Sequence, residues 1–365
     1  MTKAQAGTLV PFPAWESNPY LGMLTLAAEA AGWRVVGHKQ MAGLQSEVTN
    51  LGIGDVVHIH WTSPVTAGAR TTSEAGARRS EFRSLLTQLK ANGVTLLWTV
   101  HNEIAHDATF PEAERGVARD LAELVDAVIQ LHEFTAEFVA DSFALPAHKL
   151  HTIAHSSYLG VYDDRRDDLL ARESLGIAAT GSTVGFVGQL RPYKGVDALF
   201  RAADIASGNG EDLTVLVAGK LAPNAAIEFN TSLPTRARCV MHTDFVAPGD
   251  LWRWFRASDV MAFPYRKVLN SGSIPLAATF GRPCIVPDDS ALAREYAGEA
   301  WLCSYDTRDH PDEALAEAII AMLGRRDEAS ASARMYAREH RPYEMARSYL
   351  ALIQQTLLMN RGGAT

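Results

Sequence analysis

Residues 184–204 read VGFVGQLRPYKGVDALFRAAD. An apolar run, Val184 to Val187, ends in Gly188. Arg191 and Lys194 follow, three apart across Pro192 and Tyr193, and Gly195 leads into a helical pattern. Strand, glycine turn and helix are the opening step of a doubly wound α/β sheet. Reversing the chain accounts for Pro192 and Gly195, but not for two cations. Backbone amides at a helix start favour anions, and the two side chains add full charges. Arginine can fork onto two oxygens where lysine acts as a compact point charge, so a bound diphosphate explains both. Taken alone, the same turn is also compatible with an ordinary solvated loop.

The pattern repeats on both sides of this stretch. Apolar runs in the first half are GTLVPFP (7–13), VVHIHW (56–61), VTLLWTVH (94–101), AVIQLH (127–132) and LHTIAH (150–155). Those of the second half are TVGFVG (183–188), LTVLVAG (213–219), CVMHTDF (239–245), DVMAFP (259–264), PCIVPD (283–288) and AWLCSY (300–305). Amphipathic helical patterns, such as 18–32 and 80–93, lie between them. Continuous apolar strands alternating with helices predict parallel sheets covered on both faces. The charged stretch VYDDRRDDLLARES (161–174) reads as a linker or leading helix. Two doubly wound domains joined near residue 165 follow from this order. The 365 residues exceed one ordinary core.

Composition narrows the function classes. Hydrophobic content of 47 % and charged content of 21 % belong to a globular protein, and a net charge of −8 argues against general nucleic-acid binding. Cys239, Cys284 and Cys303 are few, far apart and in apolar contexts, which predicts buried thiols in a reducing compartment. No apolar run approaches the roughly 18 residues of a membrane span. The start, MTKAQAGTLVPFP, lacks a signal peptide's apolar core. The expectation is a cytoplasmic protein able to touch a membrane surface.

In such sheets ligands bind beyond the carboxyl ends of the strands, where the unusual residues fall. A second motif, LNSGSIPLAATFG (269–281), places Asn270, Ser271, Gly272 and Ser273 before a helix that carries no charge until Arg282. Such a loop offers amides and hydroxyls to a phosphate, or a plain N-cap through Ser271 or Ser273. GQLRPYKG, VLVAG, SDVMAFPY and SGSIPLAATFGRPCIVP together resemble the donor domain of GT-B glycosyltransferases, family 4 and its bacterial exopolysaccharide relatives above all. DVVHIHW and LLWTVHNEIAHD resemble the acceptor-domain strands of that group, and RPYEMARSYLALIQQTL (341–357) its closing helices.

The resemblance implies two Rossmann-like domains facing a cleft, with acceptor binding in residues 1–165, donor binding in 166–340, and a closing segment, 341–365, returning to the first domain. It implies transfer of a hexose from a UDP- or GDP-sugar to a glycan or lipid-linked oligosaccharide, with the nucleotide sugar as co-substrate and no further cofactor. Arg191 and Lys194 would hold the diphosphate and stabilise the leaving group. Gly188, Gln189, Gly219 and the Asn270–Ser273 loop would complete the donor site. His101 would face the transferred sugar, with Glu103 or Asp107 as candidates to activate an acceptor hydroxyl. Trp15, Asn18, Tyr20 and Trp61 are the candidate acceptor contacts. The chain departs from the family pattern at three places: Gln189 stands where the family has arginine, Val268 and Leu276 stand where it has paired glutamates, and PFPAWESNPY (11–20) replaces its glycine-rich first loop.

His58 and His60 share a strand face, yet no third ligand lies at a suggestive spacing, which favours packing or hydrogen bonding over metal. His101, His106 and Asp107 form a loop suited to acid–base work or to helix capping. The Asp pairs at 163–164, 167–168 and 288–289 lack the spaced Asp-x-Asp of metal-dependent transferases, so no metal is expected. Trp252 and Trp254 read as core and surface of one helix. The Gly-x-Gly of LGIGDVVHIH precedes its strand, against the order of a dinucleotide-binding fingerprint. The missing glutamates keep open a non-catalytic sugar-nucleotide or glycan binder, and the fold itself an epimerase.

Overall fold

The computed structural model describes residues 6–15, 18–105 and 108–362, so the candidates His106 and Asp107 lie outside the described residues. Contacts divide the chain into two compact units: residues 1–155 with 342–365, and residues 156–341.

The first unit is built on six parallel strands: β1 (Thr8–Phe12), β2 (Arg34–Val35), β3 (Val56–Ile59), β4 (Thr95–Val100), β5 (Ala127–Gln130) and β6 (Leu150–Thr152). Their order is β2-β1-β3-β4-β5-β6. Every residue of β1, β3, β4 and β5 is buried, as expected of parallel strands covered on both faces. The two-residue edge strand β2 had no apolar run to announce it. Asn18 caps the helix Pro19–Ala30, its Oδ1 accepting from the Tyr20 amide at 3.1 Å, with Pro19 in the first turn where no amide is needed. That helix packs on the closing helix Pro342–Gly362. Met345, Ala346, Tyr349, Leu352 and Ile353 form the buried stripe of the closing helix, spaced three and four apart.

The second unit carries β7 (Ser182–Val187), β8 (Leu213–Ala218), β9 (Arg238–His242), β10 (Val260–Ala262), β11 (Cys284–Pro287) and β12 (Leu302–Tyr305), again all parallel, in the order β12-β11-β10-β7-β8-β9. Phe255 and Phe280 stack in its core at 5.0 Å. Residues 156–165 pack with this unit: the Ser157 hydroxyl donates to the Ala337 carbonyl at 2.7 Å, and the Tyr158 amide to Thr279 Oγ1 at 2.9 Å. The charged stretch before β7 becomes the helix Asp168–Ser174, capped by Asp167, with Arg172 buried on Asp259 at 2.7 Å. Two expectations are corrected. Trp252 and Trp254 are both buried, because the short helix Leu251–Ala257 is covered on two sides. Of the three free cysteines only Cys284 is buried; Cys239 and Cys303 are half-buried.

Ile353 is fully buried in the first unit. Ile353→Ala should lower its stability by about 2–5 kcal/mol, read as a shift of the urea midpoint. A change within about 0.5 kcal/mol is the surface-residue result and would place the closing helix outside that core.

Candidate active site

In the second unit the strand order reverses between β7 and β10, the point at which doubly wound sheets bind ligands. The opening stretch turns there. Residues Pro192–Lys194 make one 3-10 turn, and Gly195, at φ +68°, starts the helix Val196–Gly208. A Cβ on Gly195 would lie 1.9 Å from the Pro264 carbonyl oxygen, so only glycine fits. The Arg266 amide donates to the Tyr193 carbonyl at 2.8 Å. The Arg266 guanidinium joins the Pro192 carbonyl, at 2.9 Å, to the Asp197 carboxylate, at 2.5 Å. Asp197 also takes Arg201 at 3.0 Å.

These bonds leave Asp197 committed to two arginines. Among the described residues Lys194 has no carboxylate partner, and its ammonium lies 3.9 Å above the Tyr265 ring. Ser271 Oγ donates to Tyr265 Oη at 3.3 Å and accepts from the Ser273 amide at 3.3 Å. The helix Ser273–Thr279 has Gly272 as its N-cap, without a side-chain cap bond from that residue. Asn270, Ser271, Gly272 and Ser273 are half-buried, as are Arg191 and Lys194, while Gln189 is exposed. Ser273 Oγ lies 3.9 Å from where a Gly188 Cβ would be. A Cβ on Gly219, at φ +149°, would meet the Gly188 carbonyl at 1.8 Å, so β7 and β8 end in close approach. Gly188, Lys194 and the serine loop are thus gathered at one switch point. Val268 and Leu276 are packed against the unit's core.

In the first unit the order reverses between β1 and β3, and four histidines cluster on or just after β3, β4 and β6. His58 stands on β3, His60 just after it, His101 after β4 and His155 after β6. His58 Nδ1 meets Tyr349 Oη at 2.7 Å, and His58 Nε2 meets Thr99 Oγ1 at 2.8 Å. The His58 and His60 rings lie 3.8 Å apart, and His60 Nδ1 is 3.2 Å from His101 Nε2. Trp61 stacks on His101 at 4.3 Å; Tyr20 meets His101 at 5.3 Å and His155 at 4.9 Å. Among the described residues no group of three or more His, Cys, Asp or Glu is disposed to hold a metal ion. Burial, then neighbouring histidine charge, lowers the pKa of His58, His60 and His101 well below the usual value, so all three are neutral at pH 7.

The other first-unit candidates separate. Trp15 and Trp61 form a ring pair at 4.7 Å. Asn18 Oδ1 is engaged in capping, and Tyr20 is buried among the histidines. The Glu103 carboxylate accepts the Ser142 hydroxyl. The loop behind it is pinned by the buried Glu114, which accepts the Ala105 amide at 3.0 Å. Beside Trp15 opens a cavity of about 930 Å³, lined also by Lys39, Gln45, Ser63, Arg78 and Glu81. Sequence reading passed over these residues because they come from separate segments with no shared motif.

Residues 181–325 match the family of group 1 glycosyl transferases. A GDP-mannose:glycolipid 4-beta-D-mannosyltransferase of Xanthomonas campestris is 26 % identical over 257 residues, 69 % of this chain and 67 % of the relative. A D-inositol 3-phosphate glycosyltransferase of Jonesia denitrificans is 26 % identical over 269 residues, 68 % of this chain and 62 % of the relative. The chain thus spans about two thirds of these relatives' length. The crystal structure of Anabaena HepE with UDP-glucose superposes with a TM-score of 0.70 at 14 % identity, covering 96 % of this chain and 99 % of that one. Sucrose-phosphate synthase from Thermosynechococcus elongatus gives 0.66 at 18 %, covering 99 % and 100 %. At these identities the two structures establish a shared fold.

The buried histidines have a measurable consequence. Above about pH 7 they are neutral in both folded and unfolded chain, and stability is flat. Below about 6.5 the unfolded chain binds protons that the folded unit does not. Stability should then fall by about 1.4 kcal/mol per pH unit for each such histidine until its folded pKa is passed. Hydrogen exchange of the β3 and β4 amides from pH 8 to 5.5, corrected for intrinsic rates, should show protection lost only below about 6.5. Unchanged protection would mean that these rings are not buried and neutral.

Proposed function

We propose that this chain, a group 1 glycosyltransferase with the GT-B fold, moves a hexose from a UDP- or GDP-sugar to a glycan or lipid-linked oligosaccharide in bacterial polysaccharide synthesis. The donor diphosphate binds the second unit at Arg191, Lys194, Gly188, Gln189, Gly219 and the Asn270–Ser273 loop. The observation that carries this is Lys194, held over Tyr265 without a carboxylate partner among the described residues, beside the Ser271–Ser273 hydroxyls. The acceptor binds the first unit near the Trp15–Trp61 pair, of which Trp15 lines a cavity of suitable size and has an indole suited to the C–H faces of a sugar. The glycolipid named for the Xanthomonas relative supports a lipid-linked acceptor, and with it action at the inner face of the cell membrane. None of the helices among the described residues is long and apolar enough to cross a membrane.

As the glycosidic bond breaks, negative charge grows on the leaving diphosphate. Arg191 and Lys194 then bind more strongly than in the ground state, which is the condition for raising the rate. His101 contacts the transferred sugar. The two cations supply the charge that a metal ion would otherwise bring, so transfer proceeds without one. Val268 and Leu276, apolar where the family has glutamates, favour one second reading, a sugar-nucleotide binder without turnover.

Arg191→Ala and Lys194→Ala should each cost about 2–4 kcal/mol in the barrier, a rate loss of roughly 10²-fold or more, with the fold intact. Lys194→Arg should rescue only in part. Steady-state transfer from UDP- and GDP-sugars to glycan acceptors measures this; alanine variants as active as the parent would remove the diphosphate site from this turn. Transfer should also persist in excess chelator. Loss there, restored by manganese or magnesium, would refute metal independence.

A further inference from the structure

We propose that His60 is a positioning residue for His101: it donates its Nδ1 proton to His101 Nε2 and so holds His101 as the Nδ1–H tautomer, a donor to the sugar and not a base. The inference rests on the sugar-contacting role of His101 given above.

Both rings are buried and neutral, so the 3.2 Å contact between them holds a single proton. If His101 gave that proton, His60 would carry its own on Nε2. That atom is fully buried and meets no hydrogen-bond partner among the described residues. An orphaned buried N–H is rarer and costlier than an unshared lone pair. The proton therefore sits on His60 Nδ1 and is donated to His101. His101 Nε2 is thereby an occupied acceptor, and its own proton stays on Nδ1.

The rings are held in the orientation this needs. His60 is packed at 3.8 Å against His58, which is itself fixed at both nitrogens by Tyr349 and Thr99. His101 is covered on one face by Trp61, with interplanar angle 14°, and met edge-on by Tyr20. Packing sets the plane of His101, and His60 sets which nitrogen carries the proton. Outer partners fix the tautomer of metal-bound and catalytic imidazoles in the same way.

The test has two arms on the full chain. Long-range ¹H–¹⁵N correlation of ¹⁵N-histidine-labelled protein reads each tautomer without turnover. His60 and His101 should both show a bare Nε2, and in His60→Phe the His101 ring should lose its single Nδ1–H form. A protonated His60 Nε2, or a His101 tautomer indifferent to His60→Phe, overturns the proposal. The kinetic arm separates positioning from packing. His60→Phe keeps a planar aromatic ring without the Nδ1–H and should lower kcat roughly tenfold with donor KM little changed. His60→Asn, whose carboxamide N–H can replace Nδ1–H, should recover most of that loss. A Phe variant as active as the parent, or more active than Asn, overturns it. If the parent transfers no sugar at all, the proposed function fails while the correlation spectra still decide the tautomer.

Discussion

Where the strand order reverses in the second unit, Gly195 passes so near the Pro264 carbonyl that no side chain fits between them. That approach joins the turn after β7 to the turn after β10. Arg266 completes the join, bonding the Pro192 and Tyr193 carbonyls and neutralising Asp197. Arg201 also holds the Asp197 carboxylate, at the head of the helix Val196–Gly208. Lys194 lies over Tyr265, which the Ser271 hydroxyl also contacts. A site for a polyanion needs its cations preorganised and not already paired, and this arrangement gives Lys194 both properties.

The first unit solves the opposite problem on a sheet of different strand order, β2-β1-β3-β4-β5-β6 against β9-β8-β7-β10-β11-β12 in the second. Its switch point lies between β1 and β3, yet what gathers near it is an aromatic cluster: four histidines, two tyrosines and a tryptophan pair. Burial keeps the imidazoles of His58, His60 and His101 neutral. Neutral nitrogens aligned by ring packing suit hydroxyl groups, which are directional and uncharged, as clustered cations suit phosphates. The closing helix Pro342–Gly362 belongs to this arrangement, because Tyr349 supplies one of the bonds that fix His58.

Much of this was legible in the sequence. Eleven of the strands announce themselves as apolar runs, most plainly those such as β4 and β8 that are buried throughout and need no alternation; β2 does not, being two residues long with an exposed arginine. The Arg191/Lys194 turn was legible because its residues are contiguous. The Arg266 clamp was not, since it reaches back more than seventy positions to Pro192. Nor was the histidine cluster: His58 and His60 show as a pair on one strand, but their partners Thr99, His101 and Tyr349 come from two other elements. Spacing can place two side chains on one face, but it cannot say which face of which neighbour they meet.

Two of the positions that depart from the pattern of the resembled family, Val268 and Leu276, are packing positions. Val268 and Leu276 are apolar and lie against the second unit's core, so they offer no hydrogen bond to a ribose or a sugar. On the proposed reading, sugar hydroxyls must be recognised by neutral donors and acceptors elsewhere, and charge stabilisation rests on Arg191 and Lys194 alone. That division explains why a single-tautomer His101 would matter more here than where carboxylates share the work. A buried neutral donor, fixed by His60, discriminates hydroxyl geometry without adding charge, and buried polar groups left unpaired by a wrong ligand are what make such discrimination steep.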